Sequence, residues 1–301
     1  MSGTVDAVDT RRAGWDGAAA RRQLVADGFC HVPGVLDPVA LQATRDAAEA
    51  ALGTIGADHR TQWRSQGSLV PVADHPSFAP LIAHVGFQEM FGRLGLHGTL
   101  FSSGYVISKP PGGPALFWHQ DWWGWQHPIS RGDRIAQVAL FLYMTDTTRE
   151  NGCLRLIPGT HRRPHPLHDL VDAHDPKLAE VKNPDDAAFV AHPDEVDVPV
   201  TAGDVVVVDA RLIHGAHPNR SERERTNITL WWHPGYEDLP ASLRARIWHV
   251  YEREGIDTDF DPDRSLRLDT WPEPQRSRVL PLVVTDPGPA EPEPWVRTPA
   301  F

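Results

Sequence analysis

A chain of 301 residues, 41% hydrophobic and 23% charged, has the composition of an ordinary globular protein and enough length to bury a core without staples. Its two cysteines, Cys30 and Cys153, exclude a disulfide framework and a cysteine-built zinc site. The net charge of −11 with no long basic block argues against nucleic-acid binding, and no stretch has the apolar length needed to span a bilayer.

Met1 to Thr10 carries acids and no apolar run, so no signal peptide is expected and the chain reads as cytoplasmic. Residues 1–26 suggest a flexible lead followed by a short helix. Gly28 to Leu36 alternates apolar residues between turn formers and predicts a first strand. Asp37-Pro38 then opens a helix running to about Leu52, because Asp caps free amides and Pro fits the first helical position. Two shorter helical pieces are expected at Phe78 to His84 and Phe87 to Leu94, with a break near Gly86.

From Leu100 the texture changes. Phe101 to Ser108, Ile135 to Met144, Leu154 to Ile157, Val205 to Asp209 and Thr226 to Trp232 are rich in β-branched and aromatic residues. No helix-length pattern recurs between them, which argues against a parallel βαβ sheet. The fold class is therefore mainly β with flanking helices: a double-stranded β-helix (jelly-roll or cupin-like) core with the N-terminal helices packed outside. One domain is expected over 1–301, with its core at about 100–235, a helical region at 10–99 and a C-terminal extension at 236–301. His161 to Pro199 reads as a long polar loop with a helix near Leu178, either a lid or a solvated excursion. Ala241 to Glu252 predicts a helix, and the Pro/Glu-rich 287–299 an extended tail.

Sixteen histidines invite a metal hypothesis, and His-x-Asp occurs twice. His192-Pro193-Asp194 lies in the polar loop without an apolar strand before it and reads as surface. His119-Gln120-Asp121 follows the strand-like Ala115 to Trp118, where residues i and i+2 project to the same side and can meet one ion. The candidate third ligand is His214, which follows the buried-strand pattern Val205 to Asp209 and stands at the entry to the next turn. Two His and one carboxylate leave open positions on an iron for a bidentate ligand and O2. Arg225, at the start of the strand Thr226 to Trp232, has the fork that suits a distal carboxylate.

These residues resemble the phytanoyl-CoA dioxygenase family of the Fe(II)/2-oxoglutarate oxygenase superfamily. The resemblance rests on Lys109-Pro110-Pro111, His119-Gln120-Asp121, Asn151-Gly152-Cys153-Leu154 running on to Pro158-Gly159-Thr160-His161, and His214 with Arg225. Asp27-Gly28-Phe29 to Val35-Leu36-Asp37 resembles the family's opening, so coverage is about 25–235. The resemblance implies iron held by His119, Asp121 and His214, with 2-oxoglutarate as co-substrate anchored by Arg225, and O2 as oxidant. It also implies Gln120, Tyr105 and Phe141 as walls of the co-substrate pocket. Ala216 stands where the family often has Ser, so the hydroxyl contact to the co-substrate is either missing or supplied by Thr226 or Thr229. Asp121 favours hydroxylation, desaturation or cyclisation, because halogenating relatives have a small residue there.

Eleven tryptophans are unevenly placed, with Trp118, Trp122, Trp123 and Trp125 in one short stretch. They are either barrel-wall core, or, for Trp123 and Trp125, indole faces turned to a small-molecule substrate. Lys109 is a further candidate substrate contact. Two other functional readings stay open at this stage: a cupin-like metalloenzyme that does not use 2-oxoglutarate, and a catalytically silent binding module.

Overall fold

The computed structural model describes residues 14–170, 175–249, 268–284, 288–299 and 301. Residues 1–13 of the expected lead and helix over 1–26, the end of the expected helix at 250–252 and the first residue of the expected tail lie outside these residues.

Helix α1 (Gly17–Asp27) leads into strand β1 (Phe29–Val32) through Gly28, whose φ of 86° suits a residue without Cβ. Helix α2 (Pro38–Leu52) begins where capping chemistry predicts: the Asp37 carboxylate accepts from the Val39 and Ala40 amides at 2.8 Å each. After α3 (Ala57–Gln62) and the short β2 (Val70–Pro71), helices α4 (Ala79–Ile82) and α5 (Val85–Arg93) are interrupted at Ala83-His84, not at Gly86. Gly86 lies inside α5 for a packing reason: a Cβ there would stand 2.6 Å from the Val35 carbonyl oxygen.

The remaining strands are β3 (Leu100–Lys109), β4 (Leu116–His119), β5 (Val138–Tyr143), β6 (Leu154–Leu156), β7 (Val196–Val198), β8 (Val205–Asp209), β9 (His214–Ala216) and β10 (Arg225–His233). They form a six-stranded sheet, β1-β8-β5-β10-β3-β2, and a four-stranded sheet, β4-β9-β6-β7. Every pairing between these strands is antiparallel, and the two sheets face each other as a jelly roll. The core is wider than the expected 100–235, because β1 and β2 from the N-terminal region complete the large sheet.

Alternation along the strands separates two interiors. Val138, Leu140, Leu142, Val205, Val207, Ile228, Leu230 and Trp232 pack on the helices, with Leu24, Phe87 and Phe91. Ala139, Phe141, Tyr143, Val206 and Val208 face Leu154, Leu156 and Val198 of the small sheet. The long polar segment is not structureless. It contains α6 (Pro176–Ala179) and ends in β7, whose three residues are too few for a period to show in sequence. Helices α7 (Ala241–Trp248) and α8 (Glu273–Val279) follow, and Trp271, Val279 and Val283 join the helix-side core. Among the described residues no helix is long and apolar enough to cross a membrane.

Trp232 anchors the helix side. It is fully buried, with the rings of Phe87, Phe91 and Phe101 at 5.8, 5.2 and 5.3 Å. Trp232→Ala is expected to lower the unfolding free energy by about 3–5 kcal/mol, read from urea denaturation. A loss under about 1 kcal/mol would contradict this packing.

Candidate metal centre

Strands β4 and β9 pair with His119 directly opposite His214, which brings the two rings to 4.2 Å between centroids. Asp121 completes the cluster. Its Oδ1 lies 3.8 Å from His119 Nε2 and its Oδ2 3.8 Å from His214 Nε2, and all three ligand atoms fall within 4.8 Å of one another.

Both rings are held by the same device. His119 Nδ1 lies 3.0 Å from the Phe117 carbonyl and His214 Nδ1 3.0 Å from the Leu212 carbonyl. A carbonyl only accepts, so each Nδ1 carries the proton and each Nε2 keeps its lone pair toward Asp121. Burial, and then the neighbouring His214, push His119 down to about 3, which keeps it neutral near pH 7. The carboxylate is oriented from the other sheet: the Trp231 indole N–H donates to Asp121 Oδ2 at 2.9 Å.

The wall opposite is the inward face of β10, whose alternate residues are Arg225, Asn227, Thr229 and Trp231. Arg225 is 2% exposed, donates to Asn227 Oδ1 and lies 5.4 Å from the Tyr143 ring centre. Asn227 Nδ2 in turn donates to Thr229 Oγ1 at 3.0 Å. Arg225 Nε is buried without a partner. Phe141 and Tyr105, both opposite Thr229, share this face; the Phe141 ring meets His214 edge-on at 5.3 Å and Tyr105 meets Trp231 at 5.7 Å.

Several expected site residues lie elsewhere. Thr226 falls on the outward side of β10 by the two-residue period, and its hydroxyl bonds Ser108 Oγ at 2.6 Å. Gln120 is engaged with the C-terminal tail: its Nε2 donates to the Arg297 carbonyl at 2.9 Å, and Arg297 Nη1 donates back to the Gln120 carbonyl at 3.0 Å. Trp123 and Trp125 are 1% and 0% exposed, packed in a cluster with Tyr236, Leu239 and Leu243, which is the core alternative and not an indole face open to substrate. Lys109 is likewise fully buried, donating to the Pro114 carbonyl instead of lining an open face. Of the second His-x-Asp, Asp194 is 68% exposed, and both His165 Nδ1 and His192 Nδ1 accept backbone amides. Cys153, Asp197 and His217 also cluster, but Arg149 already pairs with Asp197.

Sequence reasoning missed Trp231 and Asn227, although the period of two that starts at Arg225 would have found both. It also missed the tail. Trp295 stacks on Trp123 at 5.5 Å, Val296 bridges Gly124, Phe301 packs on Trp125 at 5.4 Å, and the Arg297 charge acts on His119. Trp295→Ala should cost about 1–3 kcal/mol of stability by urea denaturation. An unchanged midpoint would mean that the tail does not pack here.

Comparison with known proteins follows the same lines. A family model described as phytanoyl-CoA dioxygenase matches residues 24–227. Dioxygenase olcK of Penicillium canescens is 25% identical over 167 residues, 55% of this chain and 47% of that protein. The phytanoyl-CoA dioxygenase domain-containing protein 1 homolog of Dictyostelium discoideum is 31% identical over 163 residues, 52% of this chain and 54% of that one. The chain thus spans about half the length of the curated relatives it matches. Among solved structures, the epimerase SnoN in complex with Fe3+, alpha ketoglutarate and nogalamycin RO aligns with a TM-score of 0.56 at 20% identity, covering 83% of this chain and 93% of that one. The alpha ketoglutarate dependent carbocyclase SnoK aligns with a TM-score of 0.52 at 23% identity, covering 74% and 86%. At these identities the structural likeness speaks for the fold.

Proposed function

The chain belongs to the phytanoyl-CoA dioxygenase family, and on that footing we propose that it is a non-haem Fe(II)- and 2-oxoglutarate-dependent oxygenase acting on a small organic molecule, of the secondary-metabolite kind. The observation that carries the reading is the convergence of His119, Asp121 and His214 opposite a buried Arg225 that has no carboxylate partner among the described residues. The donor set fits a ferrous ion: two imidazole Nε2 atoms and one carboxylate are the ligands of an oxygenase iron with open positions. When bound, iron, 2-oxoglutarate and O2 supply oxidative decarboxylation to succinate and CO2, coupled to hydrogen removal from an unactivated carbon of the substrate.

The chain's own residues have separate tasks. His119 and His214 offer Nε2 because their Nδ1 protons are held by main-chain carbonyls. Trp231 fixes the rotation of the Asp121 carboxylate. Arg225, steadied by Asn227, receives the distal carboxylate of the co-substrate through charge-assisted hydrogen bonds. Thr229 accepts from Asn227, so its own proton is free to donate. It supplies the hydroxyl absent at Ala216, the task for which Thr226 lies on the wrong face. Asp121 keeps the third ligand position filled, which favours hydroxylation, desaturation or cyclisation over halogen transfer. The tail packs against the segment that carries His119 and Asp121 through Gln120 and Trp123.

Succinate formation from 2-oxoglutarate under Fe(II) tests the reading. Wild-type protein should release succinate, His214→Ala should abolish it, and Arg225→Gln should raise the KM for 2-oxoglutarate about 100-fold, the worth of a buried charge-assisted contact. Succinate release that survives His214→Ala would defeat the assignment. Trp231→Phe, which keeps the ring and removes the N–H, should weaken iron binding about 10- to 100-fold in a chelator competition; unchanged affinity would remove Trp231 from the site.

A further inference from the structure

The peptide unit that joins Gln120 to Asp121 lies between two of the metal-facing side chains, and it is gripped from two directions. Its N–H donates to the Ala210 carbonyl at 2.8 Å, a bond from the end of β8. Its C=O accepts from Arg297 Nη1 at 3.0 Å, a bond from the C-terminal segment. The Arg297 carbonyl in turn accepts from Gln120 Nε2 at 2.9 Å. Two residues 177 positions apart thus close a reciprocal pair, each side chain bonded to the other's main chain.

The segment is anchored on either side of Arg297 by other groups. Before it, the Val296 N–H donates to the Trp123 carbonyl at 2.7 Å, Trp295 stacks on Trp123, and Glu293 bonds Ser242 and Arg246 of α7. After it, Phe301 packs on Trp125. The guanidinium carbon lies 5.2 Å from the Trp295 ring centre, so the charged group has a fixed seat beside the carbonyl it holds. A charged donor holds a carbonyl more firmly than water does. Turning this peptide plane turns the Cα–Cβ bond of Asp121, so the direction of the Gln120 carbonyl is passed on to the carboxylate. Trp231 holds that carboxylate at its other end.

Charge alone works against an arginine at this place. Burial and His214 do most to lower His119, and the Arg297 charge adds to the lowering. The same positive field opposes a divalent cation. Its effect as a charge and its effect as a donor therefore have opposite signs for metal binding.

We propose that Arg297 is a positioning residue for the metal centre: by gripping the Gln120 carbonyl it fixes the peptide that aims Asp121, and the C-terminal segment becomes a working part of a site to which it gives no ligand. This rests on the reading of the cluster as an iron site.

Anaerobic chelator competition for Fe(II) on the full chain, with thermal melting of the metal-free protein, tests the proposal. Arg297→Met keeps most of the stem and removes the charge and the donors. Its iron affinity is expected to fall about tenfold, the scale of an outer hydrogen bond to a ligand. Its melting temperature should stay within about 2 °C of wild type, because the other anchors remain. Arg297→Lys, which keeps the charge and a donor, should recover most of the lost affinity. Tighter iron binding in Arg297→Met would overturn the proposal, leaving Arg297 as a repelling charge only. Unchanged affinity would overturn it too. So would a loss that comes with a lower melting temperature and is not recovered in Arg297→Lys, which is the behaviour of a packing contact. Wild-type protein whose iron affinity is the same as that of His214→Ala would defeat the iron reading, and this proposal with it.

Discussion

The site depends on one pairing, that of β4 with β9. Because His119 and His214 occupy facing positions in that ladder, their rings meet with no adjustment of the loops on either side. Each ring is then tied to the carbonyl two residues before it, so backbone geometry alone sets which nitrogen faces the centre. A slip of one residue in this register would turn one imidazole to the other face of the sheet and dissolve the cluster. The third side chain, Asp121, comes two residues after His119 and is aimed by Trp231 of the opposite sheet. The centre is thus fastened to both halves of the jelly roll.

The large sheet divides its labour by parity. Its outward residues make a dry interior with α1, α2 and α5, whose apolar faces supply Leu24, Leu41, Phe87 and Phe91. Its inward residues are mixed: apolar over β5 and β8, polar and charged along β10 and the end of β3. Away from that wall Asp209 pairs with Arg211 and Glu195 with Arg155, whereas on it Arg225 donates to Asn227 and has no carboxylate partner among the described residues.

The tryptophans belong to a different part of the design. Trp122, Trp123 and Trp295 stack in sequence, and the cluster extends through Tyr236, Leu239, Leu243 and Ile247. The C-terminal segment is therefore bound to the segment that carries Asp121, by stacking and by the mutual bonds of Gln120 and Arg297. Residues distant in sequence become the outer shell of the metal-facing wall.

Much of this was legible in the sequence. The cap at Asp37-Pro38, the long strands β3, β5, β8 and β10, and the jelly-roll class follow from local chemistry and period, which act over a few residues and leave their mark there. So does the His119-x-Asp121 pair, since strand alternation puts both side chains on one side, whereas His214 and Arg225 as its partners rest on the resemblance to the family. What only the tertiary structure decided lies in contacts between segments remote along the chain. It assigned Trp123 and Trp125 to packing, tied Gln120 to the tail, paired Thr226 with Ser108 and Thr229 with Asn227, and set Lys109 opposite Arg225 in the strand register. Local sequence carries the direction of a side chain, but which residue stands opposite it depends on register and on the packing of one sheet against the other, and neither is written in any short stretch of residues.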